Sequence, residues 1–578
     1  MATINYTTVP DAFEPWRAEL LSLGVTKNYL LLTNTQLVAS AAVLGAILHL
    51  TILLPYEVES FMYRLLGGLL ASWAGYFFFQ IVLGFSVLSS ASRVLLVSSA
   101  FNVGIFVSIG IYRLFFHRLR RFPGPMPAKL TKFFSASLAA KTVQYHKDVA
   151  RMHDEYGDFI RTGPRELCVV RSSAVPLIYG PTTKCRKATW YTQVDTNYKN
   201  CSINMTRDVD DYRRRRRTWD RGFAIKVLQQ YVPRITEKTD LFISQIAKQQ
   251  KAIDATAWSS YLGFDIMGAA GFGKDFGGVA AGQEHPAIKG VHDHMTILGI
   301  ASHVPWLLNI ASHIPGATAG YAPFFNWVAS EIQAKQKTWK HGQEPTDIIS
   351  WLIKAFEEKD PSAPPSTAAM HEDARVVIIA GSETTASTLA TMIFYLCKHP
   401  ATYRKLQAQV DAAMPTLESW SYDQTKTVTF IDDIINESLR LKPALMTGGY
   451  RVTPPQGLQV DEQFIPGNTT VFVPTQLIQT DERYWPRGQE FIPERFNSKT
   501  SELRTEDAPF MPFTLGMHAC PGKNLALMTL RIILSKIAQN FDLSFGPGEN
   551  GEVFDTQALE TFTTTLPPVM VQFTKRER

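Results

Sequence analysis

The sequence predicts a mainly α protein with a small β part, preceded by N-terminal transmembrane helices. Three stretches without Lys, Arg, Asp or Glu fall within the first 120 residues. From about Ala128 onward the apolar positions follow a mainly helical pattern, and β-like segments are confined to Phe159 to Val170 and to the region between Tyr450 and Val473. With 578 residues, 45% hydrophobic and 19% charged, the chain has enough apolar content for a sizeable core and does not have the composition of a disordered protein.

The charge-free stretches run from Asn28 to Tyr56, Leu65 to Ser92 and Val94 to Tyr112. Each is long enough to cross a bilayer, which takes about 20 apolar residues. Three spans are the leading expectation, with one or two as the alternative. A cleaved signal peptide is not expected, because the extreme N-terminus lacks a basic segment and the apolar runs are too long. Arg113, His117, Arg118, Arg120 and Arg121 follow the third run, then Pro123-Gly124-Pro125 forms a stiff hinge. The basic cluster belongs on the cytosolic side, so three spans place the N-terminus in the lumen. The sequon Asn5-Tyr6-Thr7 is then accessible to glycosylation, whereas the matches at Asn200, Asn204 and Asn468 are expected to go unused. The chain divides into a membrane region, 1–120, and one large domain, 121–578.

The net charge of +6 is mild for this length and gives no footprint for nucleic acid. The five consecutive arginines between Tyr212 and Thr218 are read as a local feature of one helix rather than as an import or nucleic-acid signal. Gly271, Gly273 and Gly277 lack the preceding strand and the full spacing of a dinucleotide loop. His292 and His294 read as loop or helix-face residues rather than metal ligands. A proline-rich loop, Pro361 to Pro365, precedes an apolar helix from about Ala374 to Lys398 whose lack of a polar face predicts burial through the middle of the domain. Within it, Glu383, Thr384 and Thr385 interrupt the apolar run. Burying such groups without partners is costly, so they point to bound water or a functional network; the alternative is a Thr bonding back to its own helix. Glu437 and Arg440 lie three apart on one helical face.

Cysteines stand at 168, 185, 201, 397 and 520, an odd count without a CxxC pair, which argues against a disulfide framework and a structural zinc site. Four of them read as small buried hydrophobes. Cys520 differs: it lies in Phe513-Thr-Leu-Gly516-Met-His518-Ala-Cys520-Pro-Gly522, just before the apolar helical stretch from Lys523 to Phe541. That position offers backbone N–H groups and the positive end of a helix dipole, which favour thiolate over thiol. Gly516 permits the tight backbone of a loop lying against a flat cofactor, and Phe513 is placed to exclude water from the sulfur.

This segment resembles the cysteine loop of cytochromes P-450, and the other motifs occur in that family's order. Ala380 to Thr385 resembles the oxygen-activation motif. Glu437-Ser-Leu-Arg440 with Pro493-Glu494-Arg495-Phe496 resembles the pair that braces the proximal side. Tyr212 with Arg216, and Arg451 after Gly448-Gly449, resemble propionate-binding positions. The departures are Tyr212, where another aromatic or His is usual, and His518, where Arg is usual, so that the propionate contact becomes pH-sensitive or is lost. The resemblance covers roughly Arg121 to the C-terminus and implies a cytochrome P-450 fold holding haem b between the buried helix and the cysteine-loop helix. Cys520 is the implied metal ligand. Tyr212, Arg216, Arg451, Phe513, Gly516 and His518 are the implied cofactor contacts, and Thr384 and Glu383 the implied catalytic groups. Thr384 would hold the reacting oxygen and a water, and Glu383 would relay protons.

The implied reaction places one oxygen atom from dioxygen into a lipophilic small molecule and releases the other as water. Electrons come from NADPH through a separate NADPH-cytochrome P-450 reductase, with cytochrome b5 as a second donor. The resemblance also implies contact with membrane lipid, an endoplasmic reticulum membrane location with the catalytic domain facing the cytosol, and, from the fungal look of the pattern, secondary metabolism. The alternatives are a haem-thiolate isomerase or dehydratase that needs no reductase, and a haem sensor without turnover. The pocket is expected from about Tyr191 to Arg207, the start of the buried helix, and Pro443 to Gly449.

Overall fold

The computed structural model describes residues 13–577 apart from 193–194, 196, 318, 498–500 and 562. The Asn5 sequon lies outside the described residues. Three N-terminal helices are long and apolar enough to cross a membrane: α1 (Asn34–Leu48, continuing to Leu53), α2 (Met62–Val82) and α3 (Val87–Ile111, continuing to Phe116). Their ends differ from the charge-free stretches. The second stretch runs through a break at Gly84, whose φ of 93° stops α2, and the Ser86 side chain caps the start of α3 by accepting from the Ser89 N–H. Arg64 and Arg93 therefore lie inside helices, Arg93 stacked over the Phe85 ring at 4.3 Å. Absence of charge locates a span but does not set its ends; turn and cap residues do. α1 and α3 cross at Gly45 and Gly104, where an added Cβ would meet Phe101 O at 2.1 Å and Ala42 O at 2.0 Å. Small residues thus allow the backbone contact typical of helices packed in lipid.

The loop between α1 and α2 clasps the large domain. Arg165 donates to Leu53 O and Leu54 O at 3.1 and 2.6 Å, and Arg207 binds both carboxylate oxygens of Glu57 at 3.0 and 3.3 Å. Ser60 bonds Thr192 at 3.0 Å. The opposite end of α2 instead meets the segment before α1, through the Phe13–Phe78 ring pair and Tyr29 against Tyr76 and Phe79.

The rest is mainly helical; both expected β-like segments hold strands, and further short strands at Arg186–Lys187, at Ile253–Asp254 and between Phe541 and Lys575 lie outside them. β1 (Phe159–Gly163) and β2 (Glu166–Val169) form an antiparallel pair, and helix α4 (Ala174–Tyr179) follows. β3 (Arg186–Lys187), β4 (Arg451–Val452) and β5 (Thr470–Phe472) complete a five-stranded sheet in the order β1-β2-β5-β4-β3, in which β2 and β5 run parallel. The helices that matter for the site are α5 (Val209–Gly222), α6 (Ala255–Met267), α7 (Pro286–His292), α8 (Pro305–Ser312), α9 (Thr367–Lys398), α10 (Thr429–Leu441) and α11 (Lys523–Asn540). α8 packs on α2, where His313 at its end stacks on Tyr63 at 3.9 Å.

The predicted buried helix is α9. It starts seven residues before Ala374, where Ser366 caps it by accepting from the Ala369 N–H, and its C-terminal half is almost wholly buried. It is as long and nearly as apolar as α1 to α3, but 61% of its most apolar stretch is buried in protein, so it is a core helix. α6 crosses it closely because Gly263 lies against Ser382 O and Gly381 against the Met267 side chain. Cys168, Cys185, Cys201 and Cys397 are buried and unbridged, as expected of small hydrophobes.

Glu437, Arg440 and Arg495 form one fully buried cluster. Arg440 grips Glu437 with Nε and Nη2 at 2.7 and 2.8 Å, and Arg495 Nε reaches the same carboxylate at 3.2 Å. The remaining guanidinium N–H groups donate to carbonyls of Gln479, Gly488, Glu490 and Leu503. A buried pair tolerates its desolvation only when its other donors are satisfied in this way. The cluster ties α10 to the chain that leads into the Cys520 loop, and its role is structural.

Candidate active site

The Cys520 loop closes on itself through a hydrogen bond from the Cys520 N–H to Phe513 O at 2.9 Å. Gly516 has φ of 62°, and a Cβ there would meet Gly180 O at 2.5 Å, so both its conformation and the approach of α4 demand glycine. Of the five cysteines only Cys520 is exposed, and its surface opens onto an internal cavity of about 390 Å³. Burial pushes the Cys520 thiol up, while the backbone N–H groups of Gly522 and Lys523 and the charge of Arg216 pull it down. Burial wins. The donors expected at the helix start are thus present and act toward thiolate, against the opposing effect of burial.

Basic groups gather on one rim of this cavity. Arg216 Nη1 donates to Tyr212 Oη at 2.9 Å and to Ala519 O at 2.7 Å, while its Nε holds Asp220 at 2.7 Å. Tyr212 Oη in turn donates to Met517 O at 2.9 Å, so the α5 pair is bonded directly to the cysteine loop. Arg451 is buried, donates to Tyr191 Oη at 3.0 Å and lies over the Tyr179 ring at 5.2 Å. Lys187 Nζ, also buried, is held by the carbonyls of Ile203, Asn204 and Thr206 at 3.1, 2.7 and 3.1 Å. Its recorded hydrogen bonds go to carbonyls, and burial with the nearby Arg451 charge pushes its ammonium well below the usual lysine range.

His518 packs edge-on to Tyr212 at 4.5 Å, with Nδ1 buried and unpartnered. Burial, with Lys187, Arg451 and Arg216 around it, pushes the ring down to about 2. A rim carrying Lys187, Arg216 and Arg451, beside a cysteine sulfur and an apolar roof, fits a flat cofactor with two carboxylates and a metal centre.

The roof is α9. Val377, Ala380, Gly381, Thr384, Thr385 and Thr388 face the cavity. Thr384 Oγ1 donates to Ala380 O at 2.7 Å, the back-bond that sequence alone left open. Donating there leaves the oxygen free to accept a hydrogen bond. Gly381 is explained by packing as well as by access: a side chain there would meet Met267 Sδ at 2.5 Å. Glu383 turns off the cavity face, and its Oε1 meets His292 Nε2 at 2.9 Å.

The structure thus brings Phe513, Gly516's loop, His518, Cys520, Tyr212, Arg216, Arg451 and Thr384 to one cavity, and sets Glu383 one residue behind it. The expected pocket segments contribute Tyr191, Ile203, Asn204 and residues 444–449, and α9 contributes from Val376, two residues past the expected helix start at Ala374. Lys187, His303 and Glu560 also line the cavity and carried no sequence signal, since each lies in a segment whose neighbours are distant in the chain. Of the arginine run, Arg213 and Arg217 face solvent, while Arg215 is buried between Asp211 and Asp373 at 3.3 and 2.6 Å. Gly273, read as no dinucleotide loop, is a left-handed helix stop beside Asp347.

The chain matches the sequence model of the family described as Cytochrome P450 over residues 123–573. It is 36% identical to cytochrome P450 monooxygenase orf5 of Eupenicillium brefeldianum, over 82% of this chain and 95% of that one. It is 31% identical to cytochrome P450 monooxygenase lcsK of Purpureocillium lilacinum, over 94% of this chain and 99% of that one. Tryprostatin B 6-hydroxylase of Aspergillus fumigatus is 29% identical over 83% of this chain and 85% of its own.

Proposed function

The chain belongs to the cytochrome P450 family, and from that premise we propose that it oxygenates a lipophilic small molecule of fungal secondary metabolism at the Cys520 cavity. As a haem-thiolate monooxygenase it uses haem b, dioxygen and electrons delivered from NAD(P)H by a reductase, and the isomerase, dehydratase and sensor alternatives fall away. The observation that carries the reading of the site is the opening of the Cys520 sulfur into the same cavity as the Thr384 roof and the basic rim.

Bound haem supplies the activation of dioxygen, favoured by electron density from a thiolate ligand. Cys520 Sγ is the group that would bind the iron, with Phe513 excluding water from its flank. Arg216 and Arg451 would bind and orient the two propionates, Tyr212 would hold Arg216 to the cysteine loop, and His518 would pack beside them. Thr384 Oγ1 holds a water at the roof, and Glu383 accepts and releases a proton at its carboxylate. The apolar residues of α9 keep other water out, so that protons arrive by this route alone.

The substrate wall is largely apolar, which fits lipophilic compounds. The relative named for tryprostatin B supports placing that compound among the first tested. The test is reconstitution with NADPH-cytochrome P450 reductase, NADPH and a panel that includes tryprostatin B. A product gaining one oxygen atom, made by the parent and not by Cys520→Ser, is expected; a product formed without NADPH would refute the monooxygenase assignment of the site.

The three apolar N-terminal helices associate the protein with a membrane. We place this region, 1–120, in the endoplasmic reticulum with domain 121–578 in the cytosol. Support comes from the α1–α2 loop, which lies on the domain's side, and the segment before α1, which lies at the opposite end of α2: three crossings satisfy both. Exposed Arg213 and Arg217 offer an acidic donor such as cytochrome b5 a docking face, and the basic cluster at Arg118 to Arg121 suits anionic lipid. Added protease should digest the domain in sealed microsomes; protection would refute this orientation.

A further inference from the structure

Glu383 has a partner behind the α9 roof. Its Oε1 lies 2.9 Å from Nε2 of His292, the last residue of α7, and the other ring nitrogen, Nδ1, is bonded to Glu284 Oε1. The side chains of Glu383, His292 and Glu284 are 22%, 30% and 28% exposed, so the three bonded groups lie together behind the α9 roof, within reach of bulk water. An imidazole bonded at both nitrogens to carboxylates has one acceptor on each side and is a double donor when protonated. The charged groups acting on the ring are these two carboxylates; Lys289 and Asp293, its neighbours on and beside α7, are exposed. Burial alone would lower the ring, but its bonds to Glu284 and Glu383 outweigh this and push it up to about 10.

We propose that His292 is the proton carrier that feeds Glu383, with Glu284 as the group that orients it. This rests on the reading of Glu383 as the proton relay. In the step, the Nε2–H bond of the imidazolium breaks and the proton passes to Glu383 Oε1, leaving a neutral imidazole and a carboxylic acid. Glu383 then turns about its side-chain bonds toward Thr384 and releases the proton to the water held there, returning as carboxylate. The ring regains its proton from bulk water, to which its exposed edge is open. No electron is exchanged in this path. The arrangement explains why a carboxylate that does not border the cavity is nonetheless placed beside Thr384: it alternates between the carrier outside and the water inside.

The test compares His292→Gln, which keeps hydrogen bonding without carrying a proton at neutral pH, with His292→Lys, which restores a protonated donor between the carboxylates. Holoenzyme with reductase and NADPH is assayed for hydrogen peroxide released per NADPH consumed, with 7-ethoxycoumarin as the occupying probe and haem content as the control for folding. His292→Gln is expected to raise the peroxide fraction at least about threefold, and His292→Lys to stay within about twofold of the parent. Peroxide unchanged in His292→Gln, while Glu383→Gln raises it, overturns the role of His292 and leaves that of Glu383; unchanged peroxide in both sinks the relay reading itself. A second readout is independent of turnover. Diethylpyrocarbonate attacks neutral imidazole, so at pH 7.5 His292 should be modified far more slowly than exposed His341, and faster once Glu284 and Glu383 are both replaced by Gln. Equal modification of His292 and His341 in the parent would overturn the proposal.

Discussion

Replacing Asp373 with asparagine would isolate a buried charge with little change of shape. Asp373 lies in α9, fully buried, and its Oδ1 accepts from Arg215 Nη2 at 2.6 Å and from the Ile203 N–H at 2.7 Å. Asparagine can still accept at Oδ1, so the bond to Ile203 survives while the countercharge of Arg215 disappears. Removing one member of a buried pair costs about 3–5 kcal/mol. The remaining Asp211 contact, at 3.3 Å and shared with Arg214, places the cost at the lower end, about 3 kcal/mol. At about 2.1 cal/mol/K per residue, a domain of roughly 450 residues unfolds with an entropy near 0.9 kcal/mol/K, so the thermal midpoint should fall by about 3 °C. Asp373→Ala loses the Ile203 bond as well and should fall further, with weaker ligand-induced spectral change because Ile203 and Asn204 border the cavity. Calorimetry of the holoenzyme measures both. A midpoint within 1 °C of the parent for the two variants, about a third of the predicted shift, would refute the claim that Asp373 compensates Arg215.

Cys520→Ser should abolish the thiolate-specific absorption of the reduced carbon-monoxide complex, since an alcohol does not supply the same electron density; an unchanged spectrum would remove Cys520 as ligand. Thr384→Ala should retain haem and NADPH consumption but release more peroxide and less product than Thr385→Ala, because Thr385 points about 100° further around the helix; losing the back-bond to Ala380 costs only about 1 kcal/mol, so folding should survive. Stability should fall on mild acidification partly through His303, whose ring burial pushes down to about 3. Above the unfolded value near 6.5 neither state holds the proton; between there and 3 only the unfolded chain takes it, so up to about 1.4 kcal/mol per pH unit is lost as pH falls. Denaturant titrations from pH 7 to 4 should show a shallower decline for His303→Gln, and parallel curves would count against it.

The parts of the site that were legible in the sequence are those whose chemistry is local. Phe513, Gly516 and Cys520 share one loop, Tyr212 and Arg216 one helical face, and Glu383 and Thr384 one interruption of an apolar run. Their spacing alone constrains where they point. Lys187 was invisible because its carbonyl partners become a cage only when the 203–206 turn folds over β3. His292 was read as a bland helix-face residue, which its own segment justifies; its partner Glu383 is 91 positions away. For the membrane helices, missing charges marked the apolar mass correctly, but Gly84 and Ser86 decided where one helix stopped and the next began. At Cys520 the N–H donors of the helix start were legible because they are local, whereas the burial that opposes them belongs to the whole cavity.

The clasp between the α1–α2 loop and the large domain makes the anchor part of the enzyme's surface rather than a leash. Cutting the chain at the Pro123 hinge to obtain a soluble form would strip the carboxylate from Arg207 and the carbonyl partners from Arg165, and take from Arg161 the Arg113 carbonyl it reaches at 3.2 Å. Such a truncated protein would present newly bare guanidinium groups beside the Trp190–Thr192 turn that leads into the cavity. It would bind anionic detergents and resins there, and its ligand preferences would shift with ionic strength in a way those of the intact protein do not. Solubilising the whole chain in detergent, or keeping Glu57 on a grafted loop, preserves the surface that substrates actually meet.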